Sequence, residues 1–254
     1  MNIFNLTGKT AIISGGNSGI GLGIAKGLAA AGANIVIVAR NKKKNKSAVK
    51  EILNLGAKSI AVEADLRNEI DIAKVIKVVV KEFKAINILV NNAGSTIRKS
   101  PEKLTAKEWH FVLDTNLTST FLFSKACYPE LKKAGGGKIL NNGSMLSLFG
   151  SPWGSAYGAS KGGIMQITRS HATAWADDNI QVNCFLPGWI DTRLTKLAKR
   201  KIPTLNQNVL KRTPAGRWGT PNDLAGIAIF LSSSASDFIT GTAIPVDGGY
   251  SIAL

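Results

Sequence analysis

Short runs of aliphatic and β-branched residues alternate along the chain with longer stretches whose apolar positions return every three or four residues. The runs "KTAIIS" (9–14), "NIVIVA" (34–39), "KSIAVEA" (58–64), "NILVNNAG" (87–94), "GKILNNGS" (137–144), "NIQVNCFLP" (179–187) and "AIPV" (243–246) predict seven strands. Between them the pattern predicts helices over 19–32, about 43–55, 69–83, about 106–133, about 155–177 and about 222–233. Strand runs that are apolar on both faces need cover on both sides. The expectation is an α/β fold, a seven-stranded parallel sheet with helices on both faces. No linker, repeat or low-complexity tract divides it, so residues 1–254 read as a single domain. Residues 191–214, "DTRLTKLAKRKIPTLNQNVLKRTP", break the rhythm. A basic, Pro-punctuated insert beside strand ends is expected to form a small substrate lid.

Composition narrows the classes. A chain of 254 residues that is 44% hydrophobic can bury a sizeable core without disulfides or metals. Cys127 and Cys184 sit in apolar stretches and read as two buried free thiols. No apolar run reaches signal-peptide or membrane-spanning length, so a soluble, cytoplasmic protein without membrane contact is expected. The formal net charge of +16 matters more. Its lysines are scattered end to end, arginines number only eight, and no aromatic interleaving accompanies them. Nucleic acid is therefore not the expected partner. Such a background favours an anionic substrate, cofactor or carrier.

The first strand passes into the first helix through "SGGNSGIG" (14–21). Gly15 and Gly16 permit a tight turn, Gly19 lets backbone approach a ligand, and Gly21 lets the helix pack closely. Asn17, Ser18 and Ile20 complete a loop whose helix start offers free N–H groups to a diphosphate. No Gly-Lys-Ser/Thr ending follows, which disfavours phosphate transfer. At the end of the second strand, where a carboxylate would hold ribose hydroxyls, stand Ala39 and Arg40, with Lys42, Lys43 and Lys44 beyond. Ala39 carries no charge to repel a 2'-phosphate, and Arg40 can stack on adenine and fork onto that phosphate. NADP is the expected cofactor, with NAD as the alternative; Arg40 otherwise caps a strand on a basic surface. Asp65, followed by Leu66, is placed to meet the adenine amine or to serve as a turn residue.

In "SAYGASKGG" (155–163), Tyr157 and Lys161 are four residues apart and share one helix face. A phenol titrates near ~10 and is a poor base at neutral pH. An adjacent ammonium and a nearby pyridinium would stabilise the phenolate, letting the pair remove or deliver a proton at an alcohol or carbonyl. Ser144, ending the fifth strand, would hold the substrate oxygen. A serine-nucleophile site fails on inventory, because His110 and His171 have no orienting partners and read as packing or surface residues. No His, Cys, Asp and Glu set has metal-ligand spacing.

With these residues in place, the chain resembles the short-chain dehydrogenase/reductase family over essentially its whole length, from "GKTAIISGGNSGIG" to "GTAIPVDGGY". The resemblance rests on the glycine turn, "NNAG" (91–94), Asn116, Ser144, the Tyr157/Lys161 pair and "PG" at Pro187 and Gly188. It implies a single-domain Rossmann fold and a catalytic tetrad of Asn116, Ser144, Tyr157 and Lys161. Asn116 would bend its helix and hold a water linking Lys161 to solvent. Asn92, Ala93 and Gly94 would contact the adenosine side, and Pro187, Gly188, Ile190 and Thr192 the nicotinamide end. Ser14 stands where threonine is common, and it keeps the hydroxyl. The resemblance also implies a homotetramer built on the helices near 106–133 and 155–177 and on the C-terminal tail.

"STIRKSP" (95–101), "GSMLSLFG" (143–150) and the stretch 213–241 are similar to the sugar-acid branch, which includes gluconate 5-dehydrogenases and 2-deoxygluconate 3- or 2-keto-3-deoxygluconate dehydrogenases; the resemblance implies a substrate such as gluconate or keto-deoxygluconate. Arg98, and Arg193 on the insert, could meet a substrate carboxylate, and Trp153 offers an apolar face to a sugar chain. Arg98 otherwise reads as a solvated loop residue, and Trp153 as a packing residue between subunits. The rival expectation is an NADPH-dependent 3-oxoacyl reductase with acyl carrier protein as partner. A third is a non-catalytic nucleotide-binding regulator, which predicts erosion of the four tetrad positions.

Overall fold

The structure, a computed structural model, describes residues 2–253, less the side chains of Leu194 and Lys201. Seven strands, β1 (Thr10–Ser14), β2 (Asn34–Val38), β3 (Ser59–Val62), β4 (Ile88–Asn91), β5 (Gly137–Asn142), β6 (Ile180–Pro187) and β7 (Ala243–Val246), form one sheet in the order β3-β2-β1-β4-β5-β6-β7. Every pairing is parallel; Ile12, for example, stands opposite Val36 on one side and Leu89 on the other. The seven predicted strands are all present.

Alternation along each strand divides the core into two. Ala11, Ile13, Ile35 and Ile37 face α1 (Gly19–Ala30) and α2 (Lys42–Leu53), where Ile24, Leu28 and Ile52 meet them. Ile12, Val36 and Val38 face the other way, toward Ile72, Val75 and Val79 of α3 (Glu69–Phe83). Each such fully buried aliphatic side chain is worth about 1.5–3 kcal/mol of burial. Caps set the helix starts: Asn41 accepts from Lys44 N at 2.9 Å, and Asn68 accepts from Ile70 N at 2.9 Å.

The predicted helix over 106–133 is not one regular helix. It divides into α4 (Ala106–Leu113), a π turn (Asp114–Thr118) and α5 (Ser119–Lys133). Within and beyond the turn, side chains bond back to the main chain: Ser119 Oγ donates to Thr115 O and Thr120 Oγ1 to Asn116 O, both at 2.7 Å. The next helix, α6 (Ser155–Trp175), runs close to its predicted length. A buried amide ladder ties it to the sheet: Asn91 Nδ2 donates to Ser124 Oγ and Asn141 Oδ1, and Asn141 Nδ2 to Thr168 Oγ1, each at 2.9 Å.

The insert at 191–214 holds two helices, α7 (Arg193–Lys201) and α8 (Leu205–Arg212). Ala198, Leu205 and Val209 form a small separate cluster with Trp189 and Trp218. The last helix, α9 (Ala225–Ser232), is shorter than predicted, because Pro221–Leu224 form a 3₁₀ turn before it. Among the described residues, no helix is long and apolar enough to cross a membrane.

Candidate active site

Strand order reverses between β1 and β4, so the chain leaves their ends in opposite directions and opens a crevice. A cleft of about 510 Å³ lies there, walled by residues that follow β1, β2, β3, β4 and β6 and by the last residue of β5. Gly15, Asn17, Ser18, Gly19, Ile20 and Gly21 form the wall after β1. Gly19 takes φ +55°, a conformation that favours glycine. A Cβ on Gly21 would collide with Gly15 O and the Asn92 amide, so the turn folds on itself rather than on the sheet alone. The first turn of α1 carries neither an acidic side chain nor a side-chain cap, which leaves its N–H groups free for an anion.

At the adenosine end stand Arg40, Asp65 and Leu66. The Arg40 side chain is 61% exposed and approaches Asp65 Oδ2 only to 3.9 Å. Asp65 is instead clasped by Arg67, at 2.6 Å from Nη2 and 3.0 Å from Nε. That hydrogen bonding holds the Asp65 carboxyl below its ordinary range, with the Arg67 and Arg40 charges adding to it against burial. Arg67, two residues along, thus engages both carboxylate oxygens, and Asp65 itself stands on the cleft wall where the adenine contact is expected.

Ser14 joins the two halves of the sheet. Its hydroxyl accepts from Asn92 N at 2.8 Å and Ala93 N at 2.9 Å, and donates to Val90 O at 3.2 Å. Asn92 Nδ2 donates to Ser14 O at 3.0 Å, which turns its Oδ1 toward Asn142 Nδ2, 2.9 Å away. This chain fixes the Asn142 amide and leaves its buried Oδ1 without a hydrogen-bond partner among the described residues. Gly94 and Asn142 both line the cleft.

Tyr157 and Lys161 enter the same cleft from α6. Lys161 is 3% exposed; its Nζ donates to Asn142 O at 2.5 Å and lies 5.6 Å from the Tyr157 ring centroid. Burial pulls the Lys161 ammonium down to about 8, opposed by the Cys184 thiol. Burial likewise pushes the Tyr157 phenol above its ordinary value, and hydrogen bonding from Ser144 and the charge of Arg98 oppose it. In the protein alone desolvation wins, and the groups that oppose it are Ser144 and Arg98. Ser144 caps a 3₁₀ turn, Met145–Ser147, accepting from Leu146 N at 3.1 Å. Ser147 Oγ donates to Lys161 O at 2.8 Å, fixing that turn to α6.

Asn116 lies in the π turn and is fully buried. Its Oδ1 accepts from Ser95 N at 2.7 Å, and its Nδ2 donates to Ser95 O at 3.0 Å and Ser160 Oγ at 2.9 Å. The side chain thus clamps the loop after β4 to the catalytic helix.

The remaining predicted residues are spread around the cleft. Thr192 caps α7 and lines the wall beside Arg193. Ser144, Arg98 and Trp153 are not on that wall; Arg98 and Trp153 are exposed in the loops after β4 and β5. Pro187 ends β6, Gly188 N donates to Val246 O at 3.0 Å, and Ile190 turns into the core beneath Gly219. His171 is buried and stacks on Trp175 with centroids 4.2 Å apart, and His110 is exposed. Cys127 and Cys184 are free and buried. Burial pushes the Cys184 thiol up to about 11 and Cys127 further. No cluster of three or more His, Cys, Asp and Glu among the described residues could hold a metal ion.

Sequence reasoning missed Arg67 and Asn142 on the wall. The available signals were a cation two residues after Asp65 and the pair of amides, Asn141 and Asn142, that closes β5.

Comparison with known proteins agrees with this geometry. A family model described as enoyl-(acyl carrier protein) reductase matches residues 15–251. The chain is 41% identical over 251 residues to 2-dehydro-3-deoxy-D-gluconate 5-dehydrogenase of Dickeya dadantii, covering 98% of each. It is 36% identical over 253 residues to 5-keto-D-gluconate 5-reductase of Escherichia coli K12, covering 100% of this chain and 99% of that one. Among solved structures, a gluconate 5-dehydrogenase from Burkholderia cenocepacia in complex with NADP and tartrate matches with a TM-score of 0.95 at 36% identity, covering 100% of this chain and 99% of that one.

Proposed function

The chain belongs to the short-chain dehydrogenase/reductase family of NAD(P)-dependent oxidoreductases, and from that premise we propose that it interconverts a secondary alcohol and a ketone of a sugar acid, with NADP(H) as cofactor. The observation that carries the reading is the convergence of Tyr157 and Lys161 on the cleft built by the glycine turn. When bound, the nicotinamide supplies or accepts the hydride. Tyr157 exchanges the proton with the reacting oxygen, and Ser144 holds that oxygen in line. Lys161 anchors the site from Asn142 and returns protons toward the phenol, while Asn116 holds the loop after β4 in place.

The sugar-acid class is supported by the names of the relatives and by Arg193 on the cleft wall. Arg98, whose charge reaches Tyr157, and Arg193 on the cleft wall would orient a carboxylate, and the exposed Trp153 would offer an apolar face to the sugar chain. NADP over NAD is supported by Ala39 and the exposed Arg40, and by NADP in the solved relative. On this reading the enzyme is a cytoplasmic homotetramer in which α7 and α8 cover bound substrate.

Tyr157→Phe tests the mechanism. Turnover should fall about 10²–10⁴-fold while cofactor affinity stays within a few-fold; undiminished turnover removes the acid/base role. A panel of gluconate, 2-keto- and 5-ketogluconate, a simple sugar and an acetoacetyl thioester, each with both cofactors, tests the substrate class. Thioester reduction without sugar-acid turnover would transfer the assignment to acyl-carrier substrates.

A further inference from the structure

A core-facing position of α2 is occupied by an amide. The buried residues of this helix are Asn45, Ala48 and Ile52, a spacing that marks its inward stripe, and Ala48 and Ile52 pack in the apolar core. Asn45 is 3% exposed. Asparagine is a poor helix former, and a buried amide is costly unless every polar atom is paired. Here both ends are paired. Nδ2 donates to Ala39 O at 2.7 Å, and Oδ1 accepts from Asn17 Nδ2 at 2.7 Å. The orientation is determined: Ala39 offers only an acceptor there, so the amide nitrogen must face it and the oxygen must face Asn17.

The two groups so joined belong to different βα units. Asn17 lies in the turn after β1, between Gly15 and Gly19, on the wall facing the expected diphosphate. Ala39 follows β2, and its carbonyl belongs to the peptide from which Arg40 departs. Gly15 N already donates to Val38 O at 2.8 Å, holding the two strand ends together; Asn45 is the tie one residue further out, where the cofactor would lie. A polar residue that breaks the apolar pattern and spends both its groups on cofactor turns is a functional placement rather than a packing one.

We propose that Asn45 is a specificity-determining positioning residue: by holding Ala39 O and Asn17 together, it sets the distance between the turn that meets the cofactor's diphosphate and the turn that presents Arg40 to the adenosine 2'-phosphate. It touches no reacting atom. The inference rests on the assignment of Arg40 to that phosphate.

The test measures binding of NADPH and NADH to the full chain by cofactor fluorescence in Asn45→Leu, Asn17→Ala, Arg40→Ala and the Arg40→Ala/Asn45→Leu double variant, beside thermal melts. Asn45→Leu should narrow the NADPH/NADH affinity ratio at least fivefold. Asn17→Ala, which removes one of the two bonds, should narrow it at least twofold and carries the test if Asn45→Leu does not fold. In the Arg40→Ala background, Asn45→Leu should add nothing to the ratio. A ratio within twofold of the parent in Asn45→Leu, or equal losses for both cofactors, beside a collapsed ratio in Arg40→Ala overturns this inference alone. An unchanged ratio in Arg40→Ala overturns the 2'-phosphate assignment and the inference with it.

Discussion

Lys161 Nζ is bonded to the main-chain oxygen of Asn142, the residue that ends β5 two places before Ser144. The lysine is thereby held by the floor of the sheet, and its ammonium is desolvated.

Such a desolvated cation weakens the fold at neutral pH. Burial lowers Lys161 to about 8, whereas the unfolded chain titrates it near ~10.4. Between those values the unfolded state binds more protons, so this residue's contribution to stability rises with pH and is lost as pH falls through about 8. Lys161→Met should melt above the parent at pH 7, by about 1 kcal/mol or more, with the difference closing toward pH 10 and turnover largely lost. Thermal melts at the two pH values check it; an equal or lower Tm at pH 7 would mean the buried ammonium is compensated.

Arg98 opposes the burial that raises Tyr157. Removing its charge should raise the phenol further. In Arg98→Ala, the rise of alcohol oxidation with pH should move to higher pH, while ketone reduction, which needs the protonated phenol, should persist further into the alkaline range. Arg98→Lys should restore the parent profile. A profile unmoved in Arg98→Ala would leave Arg98 with substrate contact alone.

Gly21→Ala places a methyl group against Gly15 O and the Asn92 amide. The turn must open to admit it, at a cost of about 1–3 kcal/mol, and NADP affinity should fall with stability. Melts with and without NADP measure both effects, and an unchanged pair would show that the turn yields freely.

The strands were readable because burial on both faces writes continuous aliphatic runs, as in "NIVIV" of β2. Tyr157 and Lys161 were readable because helix spacing is local. What escaped was set by partners distant in sequence or by local choices with no signature. The π turn at Asp114–Thr118 interrupts a pattern that is helical on either side. The clasp of Arg67 on Asp65 looks, in sequence, like two surface charges. The direction of the Tyr157 shift depends on desolvation by the folded chain, which four-residue spacing does not encode. Asn45 stands in a lysine-rich helix, and only the fold shows which face of that helix is inside.

The cleft draws its walls from the ends of six of the seven strands. A nucleotide seated there would fasten six βα units in one grip, so neither half of the chain should retain a share of the affinity. Saturation at a hundred times Kd would secure the whole domain by about 2.7 kcal/mol, felt as one cooperative transition rather than as local protection of a loop.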